Sequence, residues 1–430
     1  MKQSINQILK EVLTKIDPLK EELNSIDKIV RGFIAELERK IKTARIDAEV
    51  FVGGSFAKRT MIKKGVYDVD IFVRFNEKYR GENISGIVEK LVKGIKKSKI
   101  SRVHGSRDYF KVEPENQNFF MEIIPVIKVK NPKEAENITD LSYFHVNYVR
   151  RKLKTEKILD EIRIAKAFCH ANKCYGAESY ISGFSGYALE LLIIHYKNFL
   201  NFVKAITKMK EKEIIDIEKL YRNKYELNMN MNSAKMTSPI VIIDPTFKER
   251  NALAALSRET FENSREVCRK FLKNPSAEMF ELKEMDFEKE KKKAQKNNFE
   301  FILLGAETSK QEGDVAGSKL VKFYRHFTDE LGEFYEIKNK GFEYNGKKEA
   351  KYFFAVRKRK EIIISGPETR DRKDNIKKFR MRHKNVFEKN GRFYAREKVD
   401  KKIREFVKDW MNENSQKILE MSISELKIED

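Results

Sequence analysis

Residues 51–75 read FVGGSFAKRTMIKKGVYDVDIFVRF. An apolar run (Ala48, Val50, Phe51, Val52) stops at Gly53-Gly54-Ser55, a short basic segment follows, and Asp68-Val69-Asp70 then heads a second apolar run, Ile71-Phe72-Val73. Side chains alternate faces along a strand, so Asp68 and Asp70 share one face while Val69 and Ile71 point into a core. Two carboxylates about 7 Å apart on one face can bind one or two divalent cations. Gly54 and Ser55 let backbone N–H groups and a hydroxyl approach a phosphate at a helix N-terminus. Each half has a plain reading, a solvated edge for the acids and a turn for the glycines. Their combination between two β-rich runs points to a phosphate cradle beside a metal site.

A third carboxylate extends the pattern. Phe119-Phe120-Met121-Glu122-Ile123-Ile124-Pro125-Val126-Ile127 is an apolar strand with one acid in the middle. Such an acid is costly unless it is paired or coordinates a metal; the alternative is that Glu122 faces water on a one-sided sheet. Ser55, Asp68, Asp70 and Glu122 together resemble a polymerase-β-type nucleotidyltransferase palm.

At 430 residues the chain exceeds one ordinary core and predicts three or four domains. Lys plus Arg number 89 against 66 Asp plus Glu, a formal net charge of +23, which favours a polyanionic partner, nucleic acid before membrane. Cys169, Cys174 and Cys268 form no CxxC pair and read as reduced, buried thiols of a cytoplasmic protein. The N-terminal MKQSINQILKEVLTKI reads as an amphipathic helix, not a signal peptide, and no apolar run approaches the roughly 18 residues of a membrane span.

The organisation expected is α+β multidomain: a nucleotidyltransferase head at 1–135, a helical neck at 136–275, a small α/β body at 276–365 and a basic tail at 366–430. Helices are predicted at 5–16 and about 25–42, both behind the head strands, with Pro18 between them. Leu189, Leu192, Ile193, Tyr196 and Leu200 predict one long helical stripe in the neck, which is interrupted by a loop at 172–185 and another at 228–250 holding a strand at 239–245. Strands are expected at 299–304, 352–356 and 361–365, and helices at 317–334 and 401–420. Between Lys351 and Arg396 lie 16 Lys plus Arg against 5 Asp plus Glu, a local excess of 11, interleaved with aromatics that read mostly as core.

The text GGSFAKRT, DVDIFVRF, EIRIAKAFCHANKCYGAESYISGFSGYALELLI, DPTFKERNALAALS and SGPETRDRKDNIKKF resembles the archaeal-type (class I) CCA-adding enzymes, tRNA nucleotidyltransferases that build the CCA 3′ end without a template. The resemblance implies CTP and ATP as substrates, tRNA as partner, two Mg²⁺ ions as cofactors and no membrane; it leaves a homodimer open. It implies that Asp68, Asp70 and Glu122 are the catalytic metal ligands and that Gly54, Ser55 and Lys58 lie on the phosphate cradle. It further implies that His145, Lys166 and Tyr175 hold the incoming triphosphate, that Arg250 reads the base edge, and that Arg370, Arg372, Lys373, Lys377 and Lys378 bind RNA. The sequence departs from the family in Glu122, where Asp is usual, in Lys58, where Arg is expected, and in a shorter tail. The rival readings are a poly(A) polymerase or a 2′–5′ or cyclic oligonucleotide synthase on the same palm, and an inactive RNA-binding protein on a transferase scaffold.

Neutralising Arg370, Arg372 and Lys373 together is expected to weaken tRNA binding and flatten its salt dependence by roughly one log–log unit per lost phosphate contact. Affinity measured across a salt series checks this; identical slopes would mean that this basic face does not bind tRNA.

Overall fold

Lys63 donates its backbone N–H to the carbonyl of Ile16 (2.6 Å), tying the segment that follows the glycine turn to the end of the first helix. The computed structural model describes residues 4–95 and 97–429, and residues 1–3 of the N-terminal helix expectation lie outside that range. It divides into two compact units, Met1–Lys283 and Glu284–Asp430.

The first unit opens with α1 (Ile5–Ile16), started by a capping box in which Ser4 and Gln7 satisfy each other's backbone N–H groups. Helix α2 (Lys20–Thr43) begins about five residues earlier than the periodicity suggested, because Glu21 and Glu22 suit a first turn as well as apolar residues do. Five strands follow: β1 (Ala48–Val52), β2 (Tyr67–Phe75), β3 (Ser98–Val103), β4 (Tyr109–Pro114) and β5 (Phe119–Ile127). A short turn of helix, α3 (Gly54–Ala57), leaves β1, and α4 (Ile84–Val92) crosses between β2 and β3. The sheet order is β1-β2-β5-β4-β3, mixed, with β2 and β5 parallel. Val69, Ile71 and Val73 are fully buried against Leu37 of α2 and Val88 of α4, which leaves the other face of β2 to Asp68 and Asp70.

Helix α1 does not lie behind this sheet. Its buried residues Ile8, Leu9, Val12 and Ile16 belong to the core of the helical layer, with Ile162, Phe168 and Leu192. That layer comprises α5 (Ser142–Lys152), α6 (Glu156–Ala171), α7 (Gly186–Tyr196), α8 (Phe199–Lys208) and α10 (Arg258–Lys273), while α9 (Lys224–Asn230) puts Leu227 in a smaller cluster with Val241 and Ile243. The single stripe expected through Leu200 is two helices, broken where Lys197 adopts φ +73° and Asn198 caps α8. The expected strand forms as β7 (Ile240–Asp244), joined by β6 (Glu213–Ile215) and by β8 (Phe247–Asn251), whose polar text FKERN reads from sequence as loop. All three cysteines are free and buried.

In the second unit α11 (Phe287–Lys296) precedes β9 (Glu300–Glu307), α12 (Asp314–Phe334), β10 (Tyr335–Tyr344) and β11 (Glu349–Lys358). The sheet order is β10-β11-β9-β15, closed by a final strand β15 (Glu425–Glu429). A second sheet holds β12 (Glu361–Glu368), β13 (Val386–Lys389) and β14 (Arg392–Lys398), with α13 (Lys373–Arg382) packed on it. The expected terminal helix is split into α14 (Ile403–Glu413) and α15 (Ser415–Glu420) at Asn414. Tyr352, Phe353, Phe354 and Phe393 are core residues, whereas Arg370, Arg372, Lys373, Lys377 and Lys378 are all exposed.

Phe168, Phe199, Phe271 and Phe280 form a closed aromatic knot in the helical layer, each centroid 5.2–5.6 Å from the other three. Phe271→Ala should therefore cost the first unit about 3–5 kcal/mol. Denaturant unfolding measures this, and a loss below about 1 kcal/mol would show that the knot collapses around the gap.

Candidate active site

The turn after β1 and the acids of β2 occupy almost the same space. Gly54 has φ +58°, and a Cβ there would sit 1.6 Å from Asp70 Oδ2; a Cβ on Gly53 would lie 2.3 Å from the Phe72 ring. Only glycines let α3 approach the carboxylate this closely. The Gly53 N–H donates to the Asp70 carbonyl at 2.8 Å and fixes the turn to β2.

Parallel pairing of β2 with β5 sets Asp70 directly beside Glu122, and Asp68 beside Phe120, on the same face of the sheet. Glu122 therefore does not stand alone on a wet face. Burial, then the neighbouring charges of Asp70 and Asp68, push its carboxyl up to about 8 against the pull of Lys111. Burial and Asp68 push Asp70 up to about 6, although Lys58, Lys64 and Lys166 oppose the rise. Three neighbouring oxygen-only acids, with Asp70 and Glu122 reluctant to ionise, make a donor set suited to a hard divalent cation. Among the described residues, no group of three or more His, Cys, Asp or Glu side chains has closed to metal-holding geometry.

Beside the acids lies a narrow cleft lined by Ser55, Thr60, Met61, Ile62, Lys64, Tyr67, Asp68, Lys166 and Tyr175. Four of the residues expected at the site meet here: Ser55, Asp68, Lys166 and Tyr175. Lys64, which the sequence reading passed over, pairs with Asp68 at 3.1 Å, one helical turn's spacing along the chain. The Lys166 ammonium turns away from the opening, donating to Thr60 Oγ1 (2.8 Å), the Thr60 carbonyl (3.3 Å) and Glu190 Oε1 (2.8 Å). Lys58 donates to the second oxygen of Glu190 at 2.7 Å, and the Thr60 hydroxyl donates to the first at 2.8 Å. Glu190 is 0 % exposed. Burial would raise its carboxyl, but Lys166 and Lys58 outweigh that and hold it down to about 2. Burial pushes the Lys58 ammonium down, against the attraction of Glu190. A single acid inside the apolar run LELLII was the available signal for this residue.

His145 and Arg250 do not line that cleft. They gather around Asp244, at the end of β7, which is 0 % exposed. Asp244 Oδ2 accepts from Arg250 Nη1 (2.6 Å) and His145 Nε2 (3.0 Å); Oδ1 accepts from the Tyr187 hydroxyl (2.9 Å) and from the Thr246 N–H and hydroxyl (2.8 Å each). The His145 ring stacks on Tyr187, centroids 4.0 Å apart. Burial lowers the imidazole, and Lys58 is near enough to add to the effect. The Asp244 carboxyl lies well below the usual range despite burial, because His145, Arg250 and the Thr246 N–H favour its charge.

The five-stranded sheet that carries the acid row has the polymerase-β-like nucleotidyltransferase fold. Two Cid1 structures, a poly(U) polymerase bound to MgATP and an RNA terminal uridylyl transferase, share the fold at TM-score 0.51 with 14% and 13% identity, covering 64% and 66% of this chain and 98% and 100% of theirs. Residues 1–143 match the Second Messenger Oligonucleotide or Dinucleotide Synthetase domain, and residues 160–281 the second domain of tRNA nucleotidyltransferase.

More narrowly, the chain is similar to the archaeal CCA-adding enzymes. It is 43% identical over 244 residues to that of Nanoarchaeum equitans, covering 57% of this chain and 59% of the relative. It is 30% identical over 283 residues to that of Methanocaldococcus jannaschii (64% and 62%) and 26% identical over 403 residues to that of Archaeoglobus fulgidus (91% and 86%). The chain thus spans about three fifths of the length of the first two. No helix among the described residues is long and apolar enough to cross a membrane.

Replacing Glu190 by Ala strands two buried ammonium groups and should destabilise the first unit by about 3–5 kcal/mol. Because the folded carboxyl lies below its unfolded value, its contribution is complete above about pH 4.5 and fades as the pH falls toward 2. Urea titrations at several pH values should show wild type losing stability more steeply than Glu190→Ala below pH ~4.5; parallel curves would remove the ion pair from the stability of this unit.

Proposed function

We propose that this protein adds CCA to the 3′ end of tRNA from CTP and ATP, in the cytoplasm, without a nucleic-acid template. The observation that carries the reading is the match of residues 160–281 to the tRNA nucleotidyltransferase second domain, because that stretch contains Lys166 and Tyr175, which line the cleft beside the acid row, together with Glu190, Asp244 and Arg250. In this reading the head runs over 1–135, the neck over 136–275, the body over 276–365 and the tail over 366–430.

Asp68, Asp70 and Glu122 are the groups that would hold two Mg²⁺ ions; their oxygen donors and mutual repulsion suit them to that task. Bound there, such ions acidify the primer 3′-hydroxyl and neutralise the triphosphate and the leaving pyrophosphate. The Gly54 and Ser55 turn offers N–H and hydroxyl donors to a phosphate, and Lys64 adds a positive charge at the cleft wall. Lys58 and Lys166 act from beneath, their charge shared with Glu190. Arg250, with one terminal nitrogen committed to Asp244, keeps the remaining donors for a base edge. The exposed Arg370, Arg372, Lys373, Lys377 and Lys378, on α13 and just before it, meet tRNA phosphates.

A second reading, a synthase that joins nucleotides without RNA, is favoured by the match of residues 1–143. One assay separates the two. Labelled CTP and ATP are offered with tRNA lacking CCA, with tRNA ending in C or CC, and with no RNA. The expected result is two C and one A, then arrest, and a loss of at least about 100-fold in rate for Asp70→Ala with tRNA affinity unchanged. Long A tails, or products formed without RNA, would transfer the assignment to the other enzymes of this palm.

A further inference from the structure

Asp244 has no lone pair left for a ligand. Its two oxygens accept five hydrogen bonds from four residues: Tyr187, Thr246 (twice), His145 and Arg250. A carboxylate saturated this way is neither base nor metal ligand; it can only orient what surrounds it. Its neighbours, by contrast, are not saturated. The Arg250 Nε is buried and without a hydrogen-bond partner, although burying a guanidinium N–H unpaired is costly. His145 commits Nε2 to the carboxylate, which places a proton on that nitrogen. Tyr187 provides a floor for both, stacked under His145 at 4.0 Å and 5.9 Å from the Arg250 guanidinium carbon. Each supporting group is itself anchored. Asp244 ends the fully buried strand β7, and the Thr246 contacts pin its χ angles within a tight turn.

We propose that Asp244, with Tyr187 beneath it, is the positioning device that aims Arg250 and His145 at the incoming nucleotide, so that discrimination among the four bases depends on a residue that never touches them. The proposal rests on Arg250 reading the base edge in the reaction proposed above. It gives the buried carboxylate and the stacked tyrosine a role in specificity, since a guanidinium held at one angle can pair with one base edge and not another.

The test uses the full chain and two substrates, tRNA lacking CCA and tRNA ending in CC, and measures kcat/KM for CTP against UTP and for ATP against GTP. Asp244→Asn keeps the shape but turns one acceptor into a donor, and should lower both ratios by about tenfold or more while leaving the tRNA Kd unchanged. If Asp244 acts through Arg250, the double variant Asp244→Asn/Arg250→Ala should be no less selective than Arg250→Ala alone. Wild-type selectivity in Asp244→Asn, or losses that add in the double variant, would overturn the proposal. Should thermal melting show that Asp244→Asn does not fold, Tyr187→Phe decides. It keeps the stacked ring, removes one of the five donors and should cost about threefold or more in selectivity, whereas an unchanged ratio overturns the proposal. A wild-type enzyme that transfers neither C nor A to tRNA defeats the function itself and this inference with it. One that does so while Asp244→Asn keeps full selectivity defeats only the inference.

Discussion

Like charges on neighbouring hydrogen-bonded strands repel, and Asp70 lies directly opposite Glu122 in the parallel pairing of β2 and β5. A sheet built only for stability would not carry that arrangement, because each half-buried carboxylate raises the cost of ionising the next. The surroundings answer to it. Lys64 leans on Asp68, and Lys58 and Lys166 bring positive charge near Asp70 from below. Two buried ammonium groups would then repel each other in turn, which is why Glu190 must lie between them. The approach of the Gly53-Gly54 turn is bounded by the same carboxylate.

Strand period two made the acid row legible. It put Asp68 and Asp70 on the face opposite Val69 and Ile71, as the buried and half-buried pattern of β2 confirms. What the sequence could not supply was register. Nothing local to Glu122 says that it lies beside Asp70 and not Asp68, since the pairing is parallel and the two strands are separated by a crossover through α4, β3 and β4. Helix periodicity failed differently. Leu189 to Leu200 keeps its apolar spacing across Lys197, so the break between α7 and α8 is written in one left-handed residue and one asparagine cap. β8 and β10 escaped notice because FKERN and YEIKNKGFEY carry charge where strands usually carry β-branched residues. Asp244 reads from sequence only as part of the strand expected at 239–245, and its partners at 145, 187 and 250 converge only in three dimensions.

Glu190 and Asp244 solve the same problem with opposite emphasis. Both are fully buried acids on elements otherwise apolar, and both are held ionised by several donors. Glu190 gathers the flexible ammonium groups of Lys58 and Lys166, point charges that can swing toward a neighbouring anion. Asp244 gathers flat, directional groups, an imidazole and a guanidinium, whose value lies in their angle. One buried acid manages charge and the other orientation.

The placement of α1 has a consequence for biosynthesis. Its apolar stripe closes against α6, with Val12 and Ile162 in one core about 150 positions apart, while the five-stranded sheet lies entirely between them in the chain. As the polypeptide leaves the ribosome, the sheet with α2 and α4 can complete itself from contiguous residues. Helix α1, which emerges before the sheet, has no partner until the helical layer has been translated. Its greasy face must therefore wait in solvent or in a chaperone through the synthesis of the whole five-stranded sheet. Residues made before the sheet are buried after it.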